Sequence, residues 1–138
     1  MLKAILRTLS EREDLLLRVA VAFPMIWAGV AQLTNPTNWV GFVPVWLASI
    51  VDPEAFLGIH SLFNLIVGAG ILLGFWRIIF AGLATALLAS ILIFYEGGIF
   101  LGIDDVTFRD VGLTIVAFVL FLRALKSHWQ FNVIKHTP

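Results

Sequence analysis

The sequence predicts an all-α membrane protein: a four-transmembrane-helix bundle with an interfacial or re-entrant segment between helices 1 and 2. Three observations carry this expectation. Hydrophobic residues make up 60% of the 138-residue chain and charged residues 13%, and the mean hydropathy is +0.98. A typical soluble domain is ~45–50% apolar and ~25% charged, and a chain this short has too little interior to hide the excess from water. Four runs approach the ~20 apolar residues that cross a bilayer. The basic residues fall almost wholly on one side of those runs, as orientation by lysine and arginine requires.

The first run, residues 15–33, contains Arg18 and Pro24, and the proline is expected to kink it near its middle. The second, 56–76, contains His60 and Asn64, with Gly70 and Gly74 at the G-x-x-x-G spacing that lets helices approach closely, inside a bundle or across a dimer. The third, 78–95, has no charge at all. The fourth, 106–125, contains Arg109, Asp110 and Arg123. Between the first two lies 38–51, apolar but too short to cross, so an interfacial path is expected. Trp39 and Trp46 suit the headgroup level, and Asn35-Pro36 and Asp52-Pro53 mark turns at the two ends. Residues 1–138 thus read as one integral membrane domain. The acids before the first run, together with Arg18 and Pro24, favour a retained span over a cleaved leader.

Four spans put both termini on one side with the link at Arg77. That side holds eight basic and three acidic residues, a balance of +5. The other holds Arg109 alone against six acids, a balance of −5. The termini are therefore expected in the cytoplasm. The overall charge of zero gives no footing for nucleic-acid binding. The absence of cysteine excludes disulfides, thiol redox chemistry and cysteine metal sites.

Ionisable residues inside a span cost about 2.5–3.5 kcal/mol on insertion scales and need a reason to be there. The twelve residues 111–122 carry no charge, and at ~1.5 Å per residue they cover about 18 Å. A hydrocarbon core of ~30 Å therefore draws Arg109 and Asp110 to the outer boundary. Neighbours on a helix point about 100° apart, so each is expected to find a partner on another helix. His60 and Asn64 are four residues apart and share a face. Glu96 closes the third run and Gln32 the first, on the same outer side. Gln32, His60, Asn64, Glu96, Arg109 and Asp110 therefore converge from all four spans on a small polar pocket roofed by 38–51. Two readings are open: a ligand site, or a network that only ties helices together. Metal ligation is not expected, because His60 has no histidine partner within the membrane. Arg18 is expected to snorkel toward the headgroups. Arg77, Arg123 and Lys126 are read as orientation anchors.

The same residues carry a family resemblance. Arg18, Gly29 and Gln32-Leu33 in the first run, Gly68, Leu72-Leu73-Gly74 and Arg77 around the second, and Phe108-Arg109-Asp110-Val111-Gly112-Leu113 opening the fourth resemble the motifs of DoxX-like proteins. The likeness covers about residues 15–125. It departs at Gln32, where a lysine is common in the family. The resemblance implies a four-helix protein of a prokaryotic plasma membrane, with relatives that include the membrane subunit of thiosulfate:quinone oxidoreductase. An outer face of net −5 repels a dianion such as thiosulfate, and a neutral quinone is the better guest for an apolar pocket with few polar groups.

The leading expectation is a DoxX-like redox-associated subunit that binds a quinone or similar lipophilic molecule near the outer leaflet. His60 and Arg109 would bond its carbonyl oxygens, Asp110 and Glu96 would orient Arg109 or pass protons, and Gln32 and Asn64 would position the headgroup. No intrinsic cofactor is expected, so electrons would come from a redox partner protein or a soluble donor; a homodimer is also open. One alternative is a non-catalytic structural or assembly subunit. The other, a small-solute transporter, lacks a charge near mid-membrane, where transport sites lie.

Overall fold

The structure, a computed structural model, describes residues 2–94 and 105–136, with side chains described over 12–94 and 108–129. Among the described residues every regular element is a helix, and no strand occurs. Helix α1 is Leu2–Thr34, α2 is Val45–Ala48, α3 is Pro53–Leu73, α4 is Arg77–Phe94 and α5 is Asp105–His136. Two 3₁₀ turns, Pro36–Asn38 and Val40–Phe42, join α1 to α2.

The boundaries follow from local chemistry. Asp52 caps α3 by accepting the Ala55 N–H at 2.8 Å, and Pro53 takes the first helical position, where its missing N–H has no partner to lose. Gly74 ends the helix in the left-handed conformation, with φ of 74° and its N–H donated back to the Gly70 and Ile71 carbonyls. Gly74 is therefore a helix terminator and not the second half of a packing pair within the helix. The link to α4 is short, and Trp76 within it also has a positive φ, 32°. Helices α1 and α5 run far past the apolar segments that announce them. Hydropathy reports only their membrane-length part, and polar helical extensions are invisible to it. Pro24 lies inside α1, which runs as one helix of 33 residues on both sides of it.

Helix α1 packs along α3 and also meets α5; α4 packs along α5 and also meets α3. The core consists of Val21, Ala22 and Met25 on α1, Val67 and Ile71 on α3, Ala81, Ala84 and Leu88 on α4, and Ala117 and Leu120 on α5. Six of these ten residues are alanine or valine. Small side chains let helices approach where lipid supplies no hydrophobic drive for them to associate. Helices α3 and α4 approach tightly at Gly70, where a Cβ would lie 2.6 Å from the Phe80 ring. Gly70 thus serves a contact within the chain.

The opposite faces are apolar and bare. Leu16, Val19, Phe23, Trp27, Val30 and Leu33 form an exposed stripe on α1, and Ile59, Leu62, Ile66 and Leu73 form one on α3. Such stripes at helical spacing have no place against water. Among the described residues, three segments are long and apolar enough to cross a membrane: Arg12–Thr34, Pro53–Leu73 and Arg77–Phe94.

Because the Phe80 ring is rigid, Gly70→Val is expected to force the α3–α4 seam apart. Overpacking of this kind costs about 1–3 kcal/mol. Thermal unfolding in detergent should show a lowered Tm, and Phe80→Ala in the same chain should recover part of the loss.

Candidate functional site

At the end of the molecule where α1 finishes and α3 begins, a cavity of about 670 Å³ opens between the helices. Its walls are aromatic and aliphatic: Trp27 from α1, Phe56 and Leu57 from α3, Leu87, Ile91 and Phe94 from α4. The segment between α1 and α3 contributes Trp39, Phe42, Val43, Pro44, Trp46 and Leu47. Edge-on ring contacts fix this segment over the helices. Trp39 meets Trp27 at 6.0 Å between centroids, and Trp46 meets Phe94 at 6.1 Å. Amphipathic rings at a helix end thus serve as packing for a cavity wall.

Four of the expected site residues line this cavity: Gln32, His60, Arg109 and Asp110. They come from α1, α3 and α5. Asn64 stands one turn behind His60, buried at 5% exposure, and bonds the ring instead of lining the cavity. Glu96 lies outside the described residues. Asn38 and Ser90 also line the cavity. Ser90 was not among the expected site residues, and its Oγ donates to the Leu87 carbonyl at 2.7 Å.

The polar groups form two clusters. In the first, His60 Nδ1 lies 3.0 Å from Gln32 Oε1 and 3.1 Å from Asn64 Nδ2. Nδ1 can donate to the Gln32 oxygen or accept from the Asn64 amide, but one tautomer cannot do both. A protonated Nδ1 satisfies Gln32; a bare one satisfies Asn64. Nε2 takes the complementary role in each case, so the same ring can present a donor or an acceptor. Phe56 stacks on the imidazole with centroids 5.7 Å apart and holds its plane.

In the second cluster, Arg109 Nε donates to Asp110 Oδ1 at 2.8 Å. This corrects the expectation that each would find its partner on another helix. The arginine side chain is long enough to fold back across the ~100° between neighbouring positions. Asp110 is 3% exposed and Arg109 52%. A buried carboxylate therefore holds a cation whose far side stays open. Thr114 Oγ1 donates to the Asp110 carbonyl at 2.6 Å one turn on.

Chemically, the arrangement offers a charge-assisted donor at Arg109, a ring of switchable polarity at His60 and an aromatic sleeve between them. Comparison with protein-family models, with curated proteins and with solved structures gives no match.

Replacing only His60 would strand two buried amides, at a cost of about 1–3 kcal/mol per unsatisfied group. Replacing every partner with an apolar group of similar size removes that penalty. Accordingly, the triple variant Gln32→Leu, His60→Leu, Asn64→Leu should lose less Tm than the sum of the three single variants. Strict additivity in thermal denaturation would mean that the three side chains do not act as a network.

Proposed function

We propose that the chain is a four-span membrane protein of DoxX-like character that binds a quinone or similar lipophilic molecule in the cavity between Gln32, His60, Arg109 and Asp110. In this reading it serves as a redox-associated subunit. The observation that carries the proposal is the composition of that cavity. Its volume of about 670 Å³ falls within the ~300–1,000 Å³ common for small-molecule sites, which are mostly apolar with a few convergent polar groups. Six aromatic side chains line it beside the two polar clusters.

The reading makes α5 a fourth span. Its support is an exposed apolar stripe, Ile115, Phe118 and Leu122, opposite the buried Ala117, Leu120 and Ala124. The Arg109–Asp110 contact reduces the cost of placing both charges near a membrane boundary. Both termini then face the cytoplasm, and the 38–51 segment lies in the outer interface. His60 and Arg109 donate to the two carbonyl oxygens of the guest. Asp110 orients Arg109, Gln32 and Asn64 set the imidazole, and the tryptophans cover the ring.

A second reading also has an observation in its favour. The polar groups already partner one another, as a purely structural subunit of a membrane complex would need.

A cavity-filling variant separates the two. Leu47 lines the cavity but belongs to neither polar cluster, so Leu47→Trp should block a guest and leave both clusters intact. Mass spectrometry of the chain purified in mild detergent is expected to find roughly one quinone per chain, lost in Leu47→Trp at unchanged Tm. Quinone no richer than in bulk membrane lipid, in either protein, would refute binding and leave the structural reading.

A further inference from the structure

The opposite end of the molecule holds a second cavity, of about 420 Å³, that the quinone reading does not use. We propose that it binds the phosphoryl group of an anionic ligand, gripped by Arg18, Arg77 and Arg123.

Three helices build it. Arg18 comes from α1, Arg77 opens α4 and Arg123 lies on α5; all three line the cavity. Read along the sequence they are a snorkelling residue and two anchors, each addressed to the headgroups on its own. In the structure the Arg18 side chain lies between the helices. Its side chain is only 17% exposed, and one amino group donates to the Leu72 carbonyl at the end of α3 at 3.3 Å. Gly74 makes room for it: a Cβ there would meet the Arg18 guanidinium at 2.7 Å, and the φ of 74° already disfavours any other residue.

The cations outnumber their counter-charges. Asp14 is the one carboxylate among the described lining residues, and two guanidiniums share its Oδ2, Arg18 at 3.1 Å and Arg77 at 3.6 Å. Sharing leaves neither fully paired: Arg18 Nε is buried and makes no hydrogen bond despite that proximity. Arg123 leans on Glu13, a more exposed residue that does not line the cavity. Ser127 adds a hydroxyl at the rim. Several guanidinium forks around one concavity, incompletely neutralised, match the oxygen array of a phosphate group. Basic pockets between helices at the cytoplasmic end of membrane proteins take lipid headgroups in this way.

That phosphate can belong to an anionic phospholipid or to a small soluble phosphate, and one experiment distinguishes the sources. The full chain is delipidated in a neutral maltoside detergent, and its Tm is read with added phosphatidylglycerol, with phosphatidylcholine at the same mole fraction, or with inorganic phosphate. A rise of several degrees with phosphatidylglycerol alone identifies a lipid headgroup, and a rise with inorganic phosphate as well identifies a soluble ligand. The double variant Arg77→Gln, Arg123→Gln should lose the rise. Lys126→Gln, an exposed cation at the same end outside the cavity, should keep it. Native mass spectrometry should retain one phosphatidylglycerol per wild-type chain and none in the double variant, whatever that variant's starting Tm. No rise with either probe, or equal loss in Lys126→Gln, would overturn the site and leave only diffuse surface attraction.

Discussion

The antiparallel contact between α1 and α3 is what the rest of the molecule depends on. It brings together residues 28 apart at one end, Gln32 and His60, and residues 54 apart at the other, Arg18 and Leu72. Both cavities hang on that pairing. At the first, the seam aims the α3 imidazole at an α1 amide; at the second, it tucks an α1 guanidinium under the α3 terminus. Helices α4 and α5 then close each cavity from the far side with Ser90, Phe94, Arg109 and Asp110 at one end and Arg77 and Arg123 at the other.

A seam of this kind needs small side chains, because lipid tails compete on equal terms with leucine for a helix surface. The helices therefore meet over Ala22, Gly70, Ala81, Ala84 and Ala117, with Met25, Ile71, Leu88 and Leu120 filling the space between them and many other large apolar side chains turned outward. Polar groups cannot turn outward along the same length. Hydroxyls such as Thr85 and Thr114 bond back to their own helix, and the charged side chains described gather at the two ends, where mutual pairing lowers their cost. The two ends resolve the problem differently. Among the described residues, one end couples the Asp110 carboxylate to the Arg109 guanidinium, with the His60–Gln32–Asn64 cluster nearby. The other shares one carboxylate between two guanidiniums and so retains a positive field.

Much of this was legible in the sequence. Apolar run length placed α3 and α4 within a few residues of their observed ends. The i, i+4 spacing joined His60 to Asn64, and counting spans put Gln32, His60, Arg109 and Asp110 at a common end. What was not legible has physical causes. Hydropathy has no signal for the polar turns that lengthen α1 and α5. Spacing fixes where a Cβ points but not where a long arginine ends, so the Arg109–Asp110 contact and the place of Arg18 between the helices were both missed. The glycine at 74 fitted a packing motif by spacing, whereas its place directly after the last apolar residue of the run was the better signal for a helix end. Arg77 and Arg123 looked like orientation anchors and Arg18 like a snorkelling residue, because a charge count cannot tell converging side chains from diverging ones.

The central claim is that the two polar ends lie on opposite faces of a membrane with α5 as a fourth span, and cysteine labelling tests it directly. The chain has no native cysteine, so single substitutions report without background. Ser49→Cys, between α2 and α3, and Ser127→Cys, near the basic end of α5, are treated in intact cells with a membrane-impermeant maleimide. Four spans with cytoplasmic termini predict that position 49 is labelled from outside and position 127 only after permeabilisation. Labelling of both from the same side would contradict the fourth span, and with it the placement of the two cavities on opposite faces.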